Sequence, residues 1–421
     1  MKTVAFFLEN KTLSGVDYTN ITSGNPGIGG SEYMIVLISY LLSTRNNRIG
    51  VRLYTEIEGK FPEGLNYTVA KNLQQAIFLA ERYQQCDYFI YKHNPQAIVQ
   101  GILEAKSKMK FIPWCHNFLT WRELEYYALN QSIFQIVNVG REQMDLYRDC
   151  KAFQKSTYIF NCVDTNCLQR YDITQYPFEK RSHIVTYIGS IIPTKGFHLL
   201  AAAWPKILRH IPDAELYIIG SGKLYFRNAT MGVFGIAEKS YEEKFIKYLS
   251  KDGNLLPCVH FMGIMGEEKN EILLHTKVGV PNPSGNSETF GISAVEMQIM
   301  GAKVVTIKCP GYLDTVKNGY LYSNPDQLAD YIIKALTDNQ SNYNSSINYF
   351  NSHFSQNKVL ERWEELILNG SLACDTELYN PQYRYKHMKE VCRKIKQQIP
   401  LLYKLIPPIE RLLNLKDRLK K

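Results

Sequence analysis

No apolar run in this chain approaches the roughly 18 residues that a membrane-spanning helix needs. The first residues, Met1-Lys2-Thr3, lead straight into a strand pattern where a secretory leader would show a basic and then an apolar stretch. A cytoplasmic protein is therefore expected. Cysteine is present nine times but never as C-x-x-C, which excludes common zinc and dithiol motifs and leaves buried, reduced thiols as the expectation. Asp-x-Asp and clustered histidines are missing as well, so no metal and no other cofactor is expected. Internal repeats and low-complexity tracts are also lacking. The body carries almost no net charge. Of the overall +9, residues 371–421 hold +7, from 12 Lys/Arg against 5 Asp/Glu. With the basicity confined to a tail and no nucleic-acid motif beside it, nucleic acid is not expected as a partner.

What is present is alternation. At 421 residues the chain is long enough for two domains. An apolar strand over 4–8 is followed, after a polar segment, by Gly27-Ile28-Gly29-Gly30-Ser31 and an apolar helix over 33–42 with Ser31 as its cap. Further strands read over 51–54, 88–91, 110–114, 134–138 and 157–160, with helices over 73–83, 95–105 and 141–148. A second series starts with a strand over 183–188 and a helix over 196–211. A strand over 215–219 then runs into Gly220-Ser221-Gly222, followed by strands over 259–262, 278–280 and 303–307 and helices over 241–249, 267–275 and 290–300. Strands alternating with helices predict α/β architecture with parallel sheets, here two Rossmann-like doubly wound domains. Ligands of such sheets sit beyond the carboxyl ends of the strands. Polar residues and Pro177 interrupt the rhythm over 164–181, so a linker is placed there. The resulting organisation is 1–170, 171–354, a helix over 355–370 returning to the first domain, and a basic amphipathic tail over 371–421.

The segment richest in chemistry is 281–301, PNPSGNSETFGISAVEMQIMG. Glu288 stands in the turn after a short strand, Phe290 and Gly291 open a helix, and Glu296 follows. On a regular helix, eight residues at about 100° each keep the two acids on neighbouring sides, about 12 Å apart along the axis. The first-turn amides of Phe290, Gly291 and Ile292 form a positive helix end suited to a diphosphate, and Gly291 lets the backbone approach a ligand.

Glu288 and Glu296, set in SGNSETFGISAVEMQIMG, resemble the paired-glutamate motif of the retaining glycosyltransferases of family GT4, which have the GT-B fold. Other segments match in order. Gly29-Gly30-Ser31-Glu32 is similar to the family's N-terminal glycine loop, Trp114-Cys115-His116-Asn117 to its histidine segment and Ile159-Phe160-Asn161-Cys162-Val163-Asp164 to its IPNGVD signature. Tyr187-Ile188-Gly189 with Thr194-Lys195-Gly196 is similar to the strand and lysine segment that opens the second domain. The resemblance covers roughly residues 4–370. It implies two domains facing across a cleft, with Glu288, His116 and Lys195 as catalytic residues. It also implies Glu296 on the ribose and the Phe290, Gly291 and Ile292 backbone on the diphosphate. Gly29, Gly30, Ser190 and Gly220 complete the donor-binding set.

One departure bears on chemistry: the family commonly has arginine where Ser190 stands, so a phosphate cation is missing, with Arg141 or Lys223 as substitutes. The implied activity is transfer of a sugar, of hexosyl type, from a nucleotide-diphosphate sugar to a hydroxyl of a saccharide or lipid-linked saccharide, in cell-surface polysaccharide synthesis. A UDP-sugar is the expected donor, although the base is not readable from the loops. The alternatives are a non-catalytic nucleotide-sugar-binding regulatory or scaffold protein, for which Ser190 argues, and an epimerase of the same fold. The tail reads either as a helical annex with a solvated charged side or as an anchor on the anionic inner face of a membrane.

Overall fold

Runs of β-branched and aromatic residues bounded by polar and glycine-containing turns form the strands of two parallel sheets. The computed structural model describes residues 1–45, 47–104, 108–165, 170–224, 228–372, 382–383 and 385–413. The chain divides into two units. The first comprises Met1–Lys11, Met34–Phe160 and Val359–Lys421, and the second Thr12–Tyr33 with Asn161–Lys358.

In the first unit, strands β1 (Lys2–Leu8), β2 (Ile49–Thr55), β3 (Tyr67–Val69), β4 (Tyr88–Lys92), β5 (Lys110–Cys115), β6 (Ile136–Asn138) and β7 (Ser156–Tyr158) lie in the order β3-β2-β1-β4-β5-β6-β7. All neighbours are parallel, with Val4 opposite both Val51 and Tyr88. β1 is buried continuously from Val4 to Leu8, the pattern of a parallel strand covered on both faces. At the end of β5 the buried Trp114 ring packs edge-on against Trp363 at 4.9 Å and beside the His116 ring at 4.7 Å.

In the second unit, β8 (Ile184–Ile188), β9 (Glu215–Ile219), β12 (Val259–Gly263), β13 (Val278–Gly279), β14 (Lys303–Ile307) and β15 (Gly319–Tyr322) form a parallel sheet in the order β12-β9-β8-β13-β14-β15. A small antiparallel pair, β10 (Ser250–Lys251) and β11 (Asn254–Leu255), stands apart from it. The helix Phe197–His210 buries Phe197, Leu200, Ala201, Trp204 and Ile207 against this sheet at helical spacing.

Several sequence expectations change. The division falls between Phe160 and Asn161 rather than near 170, and residues 12–33 belong to the second unit. Of the interval read as a linker, Arg181 is buried, and its guanidinium donates to the carbonyls of Thr276 (2.7 Å) and Met300 (2.9 Å). Those bonds pin the segment to the second unit. The first long helix spans Gly30–Arg45, so Ser31 lies inside its first turn and is not the cap. The helix Gln356–Asn369 does return to the first unit from Val359 onward, where Trp363 packs against Phe6 and Trp114.

The tail departs most. Its helix Lys386–Gln398 turns Lys389 and Lys396 inward, while Lys394 stays exposed. Lys396 Nζ lies 3.1 Å from the buried Asp149 carboxylate and Lys389 Nζ 3.5 Å from Glu410. Arg148 donates to Glu390 at 2.9 Å, and Glu142 accepts from the Gln382 amide at 2.7 Å. A solvated charged side was expected, but the first unit offers Asp149, Glu142 and the Asp145–Arg148 pair beneath the helix. The parts of the tail at 373–381, 384 and 414–421 lie outside the described residues. Among the described residues no helix is long and apolar enough to cross a membrane.

Candidate active site

β13 is only two residues long, and the chain leaves it through Pro281-Asn282-Pro283, where tandem turns replace regular structure. Gly285, Ser287 and Gly291 take left-handed backbone angles (φ +64°, +55° and +81°). A serine there is uncommon, and the conformation turns the next residue, Glu288, out of line with the strand. At Gly291 a Cβ would stand 2.6 Å from the Tyr312 ring, so only glycine fits the crossing that starts the helix Ile292–Ile299. That helix begins later than expected. Glu288 therefore sits in the loop, Glu296 alone is on the helix, and the 12 Å regular-helix spacing does not apply.

Lys195 closes one end of a short 3-10 turn, Pro193–Lys195, capped by Gly196 at φ +69°. A side chain at Gly196 would run into the backbone nitrogen of Ser284 at 2.8 Å. The absent side chain lets this turn lie against the 282–288 loop, with the Ser284 hydroxyl 2.6 Å from the Thr194 carbonyl. Lys195 Nζ thereby reaches Glu288 Oε2 at 3.0 Å, and Asn282 Nδ2 donates to the same oxygen at 3.1 Å. Glu288 is held from two sides by groups on separate elements.

Glu296 lines a pocket whose polar and charged members include Tyr33, Asp164, Arg170, Glu267 and Lys269, with Val163, Ile292 and Met300 among its apolar walls. Lys269 Nζ lies 3.2 Å from Glu296 Oε1, and Arg170 bridges Asp164 (2.9 Å) and Glu267 (3.0 Å). Burial pushes the Tyr33 phenol well above its ordinary pKa, so it faces the pocket protonated. Gly30 approaches Ile292 closely, its would-be Cβ 3.3 Å from that side chain. The second unit thus brings the start of the helix Gly30–Arg45 to the start of the helix Ile292–Ile299. Gly29 accepts from the Tyr33 amide in the first turn of the former.

The other expected residues fall as follows. Ser190 is buried; its carbonyl accepts from Tyr187, and its Oγ has no hydrogen-bond partner among the described residues. Gly220 is buried against Gly189, and its amide is taken by the Gly263 carbonyl at 2.7 Å, so that N–H is already engaged. Phe290 is buried and packs edge-on to Phe354 at 5.0 Å. Lys223 is exposed, and the Arg141 guanidinium lies over the Phe160 ring at 5.3 Å. His116 belongs to the first unit. Its Nε2 is shielded from solvent, and burial, with help from the Lys92 ammonium, lowers its pKa to about 3. Asn282, Lys269 and Arg170 were not anticipated. Asn282 was legible only as a polar residue between two prolines, and the two cations as ordinary surface lysine and arginine. Among the described residues no group of three or more His, Cys, Asp or Glu is arranged to hold a metal ion.

Residues 170–351 match the model of the family described as glycosyl transferases group 1. Over 134 residues, 32% of this chain, the sequence is 28% identical to a phosphatidyl-myo-inositol mannosyltransferase of Propionibacterium freudenreichii subsp. shermanii, and the match spans 28% of that relative's length. Among solved structures, Anabaena HepE in complex with UDP and glucose aligns with a TM-score of 0.61 at 16% identity, covering 88% of this chain and 100% of that one. Sucrose-phosphate synthase from Thermosynechococcus elongatus aligns with a TM-score of 0.63 at 14% identity and the same coverage. The shared feature is the fold: two Rossmann-like domains of the GT-B type.

Proposed function

Because residues 170–351 are similar to the group 1 glycosyl transferases within a GT-B fold, we propose that this protein is a retaining glycosyltransferase. It moves a hexosyl group from a nucleotide-diphosphate sugar to a hydroxyl of a saccharide or lipid-linked saccharide in cell-surface polysaccharide synthesis. The observation that carries the reading is the Lys195–Glu288 contact at 3.0 Å, placed just before a helix whose Glu296 lines a pocket with Lys269 and Arg170. Cleaving the donor leaves a nucleoside diphosphate, so the catalyst must offer positive charge at the leaving oxygens before reaction. Lys195 and the first-turn amides of the helix Ile292–Ile299 are of that sign. The buried Ser190 hydroxyl adds a neutral donor where a cation is usual. Glu296 takes the ribose hydroxyls, Glu288 those of the sugar, and His116 serves the sugar and acceptor as a neutral imidazole. No metal is required in this scheme. UDP is the favoured nucleotide, since HepE was solved with UDP and glucose. The protein works in the cytoplasm, at the inner face of the membrane when its acceptor is lipid-linked.

The test is thermal unfolding with UDP-, GDP- and ADP-sugars, followed by turnover with an acceptor. A donor at 100 times its dissociation constant stabilises by about 2.7 kcal/mol. One nucleotide class should raise Tm in the parent chain and leave Glu296→Ala unmoved. No shift with any donor would overturn the reading. Ser190 in place of arginine favours a second reading, a nucleotide-sugar-binding protein without turnover. Donor binding with no acceptor-dependent release of nucleotide would select it.

A further inference from the structure

The helix Lys386–Gln398 is mounted with its apolar side outward. Met388, Val391 and Ile395, with Ile399 just past its end, fall within an arc of about 80° at 100° per residue, and each is 44–56% exposed. Leu401 and Leu405 extend this surface at 61% and 65% exposure. A side about 110° round the helix is anchored to the first unit by Lys389 and Lys396. An isolated amphipathic helix would bury the apolar side and wet the lysines; here the ion pairs with Asp149 and Glu410 hold the reverse.

The charge around that apolar face is of one sign. Lys394 and Lys404 are exposed, whereas the two acids of the segment, Glu390 and Glu410, are engaged with Arg148 and Arg393 and with Lys389. Among the described residues from 385 to 413 no acid is exposed. Exposed leucine, isoleucine and valine ringed by lysine fit a surface that is apolar below and anionic at its head groups.

We propose that the outward face of residues 388–405 docks on an anionic lipid bilayer and holds the first unit against it. The proposal deepens the peripheral placement given above and rests on it, but its readout does not depend on sugar transfer. The experiment is flotation of the full chain with phosphatidylcholine vesicles and with vesicles containing about one third phosphatidylglycerol, at low and high salt. The chain should bind the anionic vesicles at low salt. Val391→Ser/Ile395→Ser/Leu405→Ser and Lys394→Glu/Lys404→Glu should each weaken that binding roughly tenfold or more, with Tm unchanged because all five side chains are exposed. Failure of the parent chain to bind, or equal binding by both variants, would overturn the proposal. So would concentration-dependent dimers abolished by the serine variant, which would assign the face to a second copy. UDP-sugar stabilisation, measured on the same proteins, separates the two readings. Vesicle binding without donor binding sinks only the transferase, and donor binding without vesicle binding sinks only the anchor.

Discussion

At Glu288 three side chains meet, and each can be removed separately. Glu288→Gln keeps the size of the side chain but removes the charge that Lys195 and Asn282 hold in place. We expect kcat to fall by 10²-fold or more with a much smaller change in donor affinity, measured by initial rates and by titration. Lys269→Met leaves Glu296 without its cation in a mostly buried pocket. A stability loss of about 1–3 kcal/mol should appear in urea denaturation, the lower end applying because Glu296 retains some contact with water. His116 gives a pH test. Its folded pKa of about 3 lies below the ordinary value near 6.5, so the unfolded chain binds the extra proton first. The stability it contributes is complete above about pH 6.5 and is lost as pH falls toward 3. The parent chain should therefore lose its advantage over His116→Leu across that window, by at most about 1.4 kcal/mol per pH unit. An unchanged difference would mean that the imidazole is open to water. The sequence put forward Glu288, Glu296 and Lys195 as candidates because they stand in segments that resemble a family motif, and the structure pairs Lys195 with Glu288. Asn282 was not legible because it meets its carboxylate through a turn whose angles no local pattern announces, and Lys269 was not because it stands on a separate helix, Lys269–His275, that only packing brings to Glu296.

Elements show the same division between local and distant causes. The strands β1, β4, β5, β8 and β9 were readable to within a residue or two, because parallel strands buried on both faces are continuous apolar runs. The start of the helix Ile292–Ile299 was not, because Gly291 was read as a helical residue and is in fact left-handed, beside a Tyr312 ring that leaves no room for a side chain. Gly291→Ala should lower stability by about 1–3 kcal/mol and weaken donor binding together, since the new methyl both strains the backbone and displaces Tyr312. Tail orientation was illegible for another reason. Composition shows that charges and apolar groups alternate, but which side faces inward is decided by Asp149, 247 residues before Lys396. Lys396→Met should leave that carboxylate buried and uncompensated and cost about 3–5 kcal/mol in denaturant unfolding of the first unit. A value near zero would show that the tail helix is not docked in solution.

For the molecule as a whole, the two-unit α/β organisation was legible from alternation alone, while the path of the chain was not. The sequence suggested one domain after another, yet residues 12–33 cross into the second unit and residues from Val359 onward return to the first. The first excursion was hidden because a polar segment carries no periodicity to say which sheet it accompanies. The second comprises the helix Gln356–Asn369 from Val359 and the tail, whose ion pairs add a further layer to that unit. The return has a consequence for synthesis on the ribosome. Trp114 finds Trp363 only after about 250 further residues have been made, and Asp149 finds Lys396 later still. The amino-terminal sheet must wait with one flank of its core open while the second unit, needing nothing beyond Lys358, can close first. The half that is translated first is the half completed last, and chaperones that cover nascent apolar surface should hold on to it until the end.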